Sequence, residues 1–450
     1  MFEGRITNAP HIPRAQAFLD SGDMIKNPVQ VFERYRKQLG HTFTFHFGGA
    51  RRTVVSTNPA FIEYVLRGNR ENFNKSDIQV ERMVEFQGKG LVNSHGEAWL
   101  RQRRLLARGF QADRMKSLFP MQADVLADIM KGFDSSDSVE MHQLMVRVTL
   151  RMVGKSLFGR SMGDTELEQI GDTISTIQAF IVRQIVQPYK MPWFRISGQS
   201  EKHQQLRREA DQIVLRHIKA RREEGTGESD FLKLLLETPY HDTGLPMSEE
   251  QVLIESLQLM VAGNETSSNA LTWIFYLLAR HPAYITQMQE EIQEVMGEGE
   301  ITYEGLQKLS LSRRVLDEAL RLYPPFWMID RIALTDDEIC GIHVPAGTLV
   351  VPYIYGTHRN PEIWDDPETF DPSRFEAANK KGRPALGYIP FGAGPRVCIG
   401  KNMAVMQMLL IVASFVRSYD FELESEAPVG IRPMMLLRPD GPIKMQFRPR

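Results

Sequence analysis

Cysteine is scarce in this chain, with only Cys340 and Cys398 among 450 residues. So few thiols exclude a disulfide framework as the source of stability, fit a reducing, cytoplasmic compartment, and leave a thiol for chemistry. An excess of charge of either sign is also lacking: the formal net charge is -2, which provides no global attraction to nucleic acid or to an anionic membrane. Long hydrophobic runs are missing too. The longest, Asn269 to Ala279, falls short of the roughly 20 residues that span a bilayer. The first residues, Met1 to Phe18, mix charge with Pro10 and Pro13, which predicts neither a signal peptide nor a membrane anchor. What remains is 42% apolar and 24% charged, an ordinary globular composition, in a chain long enough to enclose a sizeable cofactor.

Two patterns set the predicted architecture, which is mainly α with small β-sheets. Thr42 to Phe47 alternates with period two, Gly48-Gly49 follows, and Arg52 to Ser56 resumes, which predicts a hairpin. From Pro59 to about Leu322 the apolar spacing is helical. The clearest helix is predicted over Glu249–Arg280, with Ser248 and Gln251 as a capping box and Pro282 beyond its end. At roughly 48 Å, and apolar in its second half, it is expected to cross the interior of the protein. After Pro324-Pro325 the chain reads as strands and loops. Surface loops are expected at 134–137, 223–230 and 377–383, and Cys340 is expected to be a small buried residue. No linker divides the chain, so a single domain over 1–450 is expected, with a β-rich part near 40–60 and a distinct C-terminal region over 325–450.

The segment Phe391-Gly392-Ala393-Gly394-Pro395-Arg396-Val397-Cys398-Ile399-Gly400 precedes an apolar helical run from Met403 to Val416. A cysteine just ahead of a helix lies near positive dipole ends, which favour the thiolate, the form that ligates iron. Glycines let backbone approach a flat macrocycle, Phe391 can cover a ring, and Arg396 can pair with a carboxylate. A dinucleotide fingerprint would need glycine where Val397 stands. Zinc would need a second cysteine or a histidine pair at ligand spacing. A chance match to five specified positions in a chain of this length is on the order of one in ten thousand.

This segment resembles the haem loop of the cytochrome P450 superfamily, F-x-x-G-x-R-x-C-x-G. Further segments carry the resemblance across almost the whole chain. Glu318-Ala319-Leu320-Arg321 resembles the family's E-x-x-R, and Arg374, in Phe370 to Phe375, resembles the arginine that completes its buried triad. Ala262-Gly263-Asn264-Glu265-Thr266 resembles the oxygen-binding segment of the long helix, and Trp99 with Arg103 resembles the W-x-x-x-R that meets a haem propionate. Arg331, seven residues after Pro324, resembles another propionate-binding arginine. Two features depart from common family patterns: Gln407 replaces an acidic residue, and Arg396 stands where many soluble bacterial members have histidine.

The resemblance implies a haem-thiolate monooxygenase in which haem b lies between a long central helix and a C-terminal cysteine loop and helix. Cys398 would be the axial iron ligand, with Phe391, Gly392, Arg396, Gly400, Trp99, Arg103 and Arg331 around the cofactor. Gly263 would make room for dioxygen beside Ala262, Thr266 would hydrogen-bond it, and Glu265 would relay protons. The chain ends about fifty residues after Cys398, so electrons are expected from a separate ferredoxin and its NAD(P)H-dependent reductase, docked near Arg101, Arg104 and Arg108. A monomer acting on a small molecule is expected, by hydroxylation or by O- or N-demethylation. Alternatives are a peroxide-dependent peroxygenase and a non-catalytic haem sensor. The substrate walls are expected near Ala262, Phe326 to Ile329, Ile177 to Phe194 and Met434 to Leu436, with Gln178, Arg183 and Gln184 suited to a polar substrate.

Overall fold

The computed structural model describes residues 8–133, 138–159, 161–224 and 230–450. Its contacts divide the chain into two compact units, each assembled from three separated stretches. The first comprises Met1–Asp77, Arg313–Cys398 and Pro428–Gly441; the second comprises Ile78–Ser312, Ile399–Ala427 and Pro442–Arg450.

The first unit is organised by a five-stranded sheet in the order Thr42–Phe47, Arg51–Ser56, Leu349–Pro352, Arg331–Ala333, Phe73–Asn74. The predicted hairpin forms its edge, with Phe43 opposite Val55 and Phe45 opposite Thr53. Gly48 and Gly49 both have positive φ, a conformation that glycine adopts without a Cβ penalty. Alternation sends neighbouring residues to opposite faces, and both faces are covered. Phe43, Phe45 and Val55 pack with Phe32, Tyr35, Trp327 and Tyr353, whereas Val54 and Val350 pack with Phe61, Ile62, Ile389 and Ala393. The last two residues belong to the approach to Cys398, so that loop rests directly on the sheet.

Cys340 departs from expectation. It is exposed and has a φ of 51° between the paired residues Ile339 and Ile342. With Gly341 at a φ of 77°, it forms a two-residue hairpin turn whose geometry turns the thiol outward.

Helices dominate the second unit, as predicted. Glu249–Arg280 is one uninterrupted α-helix of 32 residues, and every residue from Leu271 to Leu278 is buried. The Ser248 hydroxyl accepts the Gln251 N–H at 3.2 Å, as in half of a capping box. The reciprocal half is absent: the Gln251 amide donates to the Lys89 carbonyl and to Glu255. The predicted apolar run after Cys398 is the Lys401–Ser418 helix. A three-stranded sheet places Lys444–Pro449 between Val139–Glu140 and Tyr419–Leu423. Among the described residues, no helix is long and apolar enough to cross a membrane.

The expected loop at 377–383 is largely exposed turn. The loop at 134–137 lies outside the described residues, as does 225–229 of the next. Asp230, expected on the surface, is buried, because its carboxylate caps the Phe231–Glu237 helix and pairs with buried Arg221 at 2.6 Å.

Candidate active site

The loop that ends at Cys398 is shaped by its glycines and by backbone hydrogen bonds. Gly392 and Gly394 have φ of 72° and 71°, a region costly to side-chain-bearing residues. A Cβ on Gly394 would in addition collide with the Leu66 carbonyl oxygen. Glycine at 394 is therefore required by the protein's own backbone, independently of any cofactor. The Ile389 carbonyl accepts the Gly392 N–H, and the Phe391 carbonyl accepts the Cys398 N–H, each at 3.0 Å. Phe391 and Arg396 are half-buried, whereas Cys398 is exposed and belongs to no disulfide.

Behind the loop lies a buried ion pair. The Ser310–Leu322 helix brings Glu318 and Arg321 one turn apart, and both side chains are fully buried. Arg321 donates to the two carboxylate oxygens of Glu318 at 2.7 and 2.8 Å and to the carbonyls of His358, Pro367 and Thr369. The Asp371 N–H donates to Glu318, and Arg374 approaches it at 3.5 Å as an ion pair. Buried charge is tolerated when it is paired and hydrogen-bonded, as Glu318 and Arg321 are, and their contacts tie three loop segments to one helix. His358 joins this network. Its Nδ1 lies 3.1 Å from the Arg321 carbonyl, and its Nε2 accepts the Ile389 N–H at 2.9 Å.

Arg331, also in the first unit, is buried and donates to the Asp330 carbonyl. The sequence reading missed its neighbour Lys75. Burial, reinforced by the charges of Arg331 and Arg396, pushes the Lys75 ammonium down to about 7, against the pull of Asp330. Two arginines thus bear on Lys75 close to Asp330, which also binds Ser76. Such a group of cations favours a nearby anion, and a pair of carboxylates is one chemistry that suits it. Haem fits these residues: its propionates match the cation group, and Cys398 offers an exposed sulfur able to bind iron.

The remaining candidates lie in the second unit. On the Glu249–Arg280 helix, Ala262 is the only exposed residue between positions 251 and 279. Glu265 is buried, and the Thr266 hydroxyl donates to the Ala262 carbonyl at 2.7 Å, leaving its oxygen able to accept. Gly263 has a packing reason for being glycine besides the role that the resemblance implies. The helix is unbroken there, and a Cβ would come within 2.9 Å of Val153, so its bare face serves close packing against the Met141–Phe158 helix. Trp99 and Arg103 are half-buried on the Gly96–Ala107 helix, with the four-residue spacing that places them on one side. Gly400 caps the Lys401–Ser418 helix with an ordinary φ of -87°, and the nearest atom to an added Cβ is 3.4 Å away on Phe110. Nothing in the chain itself demands glycine at 400.

Among the expected substrate contacts, Phe326 is exposed, whereas Trp327 is buried and donates its indole N–H to the Met434 carbonyl. Arg183 lies over Phe194 and donates to Gln199, so its charge is held by its own helix neighbourhood. Gln178 and Gln184 are buried.

Glu255, two turns before Ala262, was also missed. Both of its oxygens lie 3.1 Å from the Leu91 N–H, and neighbouring Gln258 binds Val92 N–H and the Gly88 carbonyl. The 88–94 segment is thereby fastened to the long helix. Burial pushes the Glu255 carboxyl from 4.5 up to about 7, outweighing the hydrogen bonds that lower it. The folded state therefore keeps a proton that the unfolded chain has released, and this stabilisation is lost as pH rises from about 4.5 through 7. Glu255→Gln is expected to flatten that slope, which is on the order of 3 kcal/mol. Urea midpoints of the haem-loaded protein at pH 5 and pH 8 measure it, and an unchanged slope in the variant would contradict the assignment.

A loop-borne cysteine outside any disulfide, backed by the buried Glu318–Arg321 pair with Arg374 beside it, is compatible with a haem-thiolate type of centre. The comparisons agree: the cytochrome P450 family model matches residues 9–447, and the chain belongs to that family, whose members are monooxygenases. It is 30% identical over 410 residues to a putative cytochrome P450 132 of Mycobacterium bovis, covering 86% of each chain. It is 28% identical to the cyclooctat-9-en-7-ol 5-monooxygenase of Streptomyces melanosporofaciens, over 81% of this chain and 79% of that one. It is 27% identical to the human ultra-long-chain fatty acid omega-hydroxylase, over 94% and 84% respectively. Its fold is that of the cytochrome P450DA heme domain, with a TM-score of 0.87 at 22% identity over 98% of this chain and 96% of the other.

Proposed function

We propose that this enzyme inserts one atom of O2 into an apolar organic substrate, by C–H hydroxylation or oxidative demethylation, using electrons from a separate ferredoxin and its NAD(P)H-dependent reductase. The observation that carries this reading is the exposed Cys398 thiol at the end of a loop fixed by glycine geometry and by the buried Glu318–Arg321 pair. Haem b with thiolate-bound iron would supply dioxygen activation and oxygen transfer. Cys398 would bind the iron as a thiolate after losing its proton, with the hydrogen bond from its backbone N–H to the Phe391 carbonyl helping to place the residue. Lys75, Arg331 and Arg396 would hold the propionate carboxylates; in the second unit, Trp99 and Arg103 keep the four-residue spacing that resembles a propionate-binding pair. Thr266 accepts a hydrogen bond through the oxygen that its own donation leaves available, while Glu265 stores and passes protons from a buried position.

An apolar substrate is supported by the contacts of Arg183 with Phe194 and Gln199, and by relatives named for cyclooctat-9-en-7-ol and for ultra-long-chain fatty acids. Electron delivery would use the exposed Arg104 and Arg108. Arg101 is already paired with Asp242 at 2.7 Å, which narrows the basic face read from the sequence.

The decisive experiment supplies ferredoxin, reductase, NAD(P)H and 18O2 with a panel of fatty acids and terpenoids. One 18O atom in the product is the expected result. Product with hydrogen peroxide and none with any reductase would instead establish a peroxygenase, and haem binding without any product would favour the sensor reading.

A further inference from the structure

We infer that His358 is a positioning residue for the cysteine ligand, passing the placement of the Glu318–Arg321 helix to the loop that holds Cys398. The imidazole is fully buried and bridges two backbone groups: its Nδ1 faces the Arg321 carbonyl, and its Nε2 faces the Ile389 N–H. A carbonyl cannot donate and an amide N–H cannot accept, so the two contacts together require a neutral ring with its proton on Nδ1. Burial and the adjacent Arg321 charge hold His358 far below its usual titration range, at about 3, in keeping with that tautomer.

What lies beyond the bridge gives it consequence. Ile389 accepts the Gly392 N–H, and Phe391 accepts the Cys398 N–H. The connection therefore runs through hydrogen bonds and short backbone steps from the ion pair to the ligand. The neighbouring residue anchors the same point from another side: the Tyr388 hydroxyl donates to the carbonyl and carboxylate of Asp317, on the helix that bears Glu318. Two consecutive residues of the loop approach are thus fastened to one helix, one directly and one through His358. The Arg321 guanidinium also donates to the His358 carbonyl, so side chain and backbone of this histidine are both engaged by the same arginine.

The inference rests on Cys398 being the iron ligand. Four variants of the haem-loaded protein test it: His358→Ala, His358→Phe, His358→Gln and His358→Asn. A glutamine oxygen can reach the Nε2 position and accept the Ile389 N–H, whereas an asparagine amide reproduces only the donor to Arg321. The readouts are the thiolate-type fraction of the reduced carbonyl spectrum, the rate of haem loss, and amide exchange at Ile389. Haem loss roughly 10- to 100-fold faster, the usual range for removing a supporting partner of a metal ligand, is expected for Ala, Phe and Asn, with a lowered thiolate fraction. Glutamine is expected to restore both values and the protection of the Ile389 amide. Wild-type spectra and haem retention in His358→Phe would overturn the inference, as would equal rescue by Gln and Asn, because either result would reduce the histidine to a space-filling role. A wild-type chain lacking the thiolate band would overturn the ligand assignment and this inference together.

Discussion

Cys398→Ser is expected to abolish the thiolate-type carbonyl band and product formation while leaving the chain folded. The side chain is exposed, and the contact that places the residue is made by its backbone N–H to the Phe391 carbonyl. Serine preserves that bond and the approximate shape, so the substitution isolates the replacement of sulfur by oxygen. A hydroxyl is a far weaker acid than a thiol and remains protonated here, and it donates little electron density to iron. Losing a mere supporting partner of a metal ligand costs roughly 10- to 100-fold, so loss of the ligand itself is expected to exceed that range. Activity, carbonyl spectrum and thermal midpoint should be measured on one preparation. Retention of the thiolate band would show that another residue binds the iron.

The second large effect is expected at Arg321. Arg321→Met deletes the partner of a carboxylate with no access to water and strips donors from the carbonyls of His358, Pro367 and Thr369. Breaking one side of a buried pair costs about 3–5 kcal/mol, a large part of the about 5–15 kcal/mol by which folded domains are stable. Little soluble, haem-containing protein is expected, and soluble yield together with the urea midpoint provides the measure. Adding Glu318→Leu should recover part of the loss, because the buried carboxylate is then gone, yet recovery should stay incomplete: Arg374 loses its carboxylate partner, and the three carbonyls and the Asp371 N–H would still lack theirs. Full recovery would mean that the pair contributes little to holding the loops.

What the sequence made legible depended on whether a constraint leaves a mark in residue type. Alternation in Thr42–Phe47, helical spacing over Glu249–Arg280 and the glycine–cysteine pattern before Lys401 all do, and each has its expected place in the structure. Glu318 and Arg321 were visible because both partners must be charged. His358 was harder to interpret, since it works through the carbonyl of Arg321 and the N–H of Ile389, groups that nearly every residue has. Lys75 escaped notice as a single cation in a polar stretch, and its setting is created by Arg331 and Arg396 from distant sequence. At Gly263 the residue type was informative, and the structure adds a demand the sequence could not show, the packing of Val153 against it. Cys340 was assigned to the interior on the average habit of its residue type, whereas the turn geometry at 340–341 decided otherwise.

The composition of the first unit from Met1–Asp77, Arg313–Cys398 and Pro428–Gly441 has a consequence for biosynthesis. Strands Thr42–Phe47 and Arg51–Ser56 leave the ribosome early, but their partner Leu349–Pro352 comes only after residues 78–312, a delay of roughly 10–50 s at usual elongation rates. During that interval the nascent hairpin presents an unpaired edge and two apolar faces, the kind of surface that holdase chaperones bind and that aggregates at high expression. Slower accumulation at lower temperature should therefore favour recovery of intact protein over rapid induction.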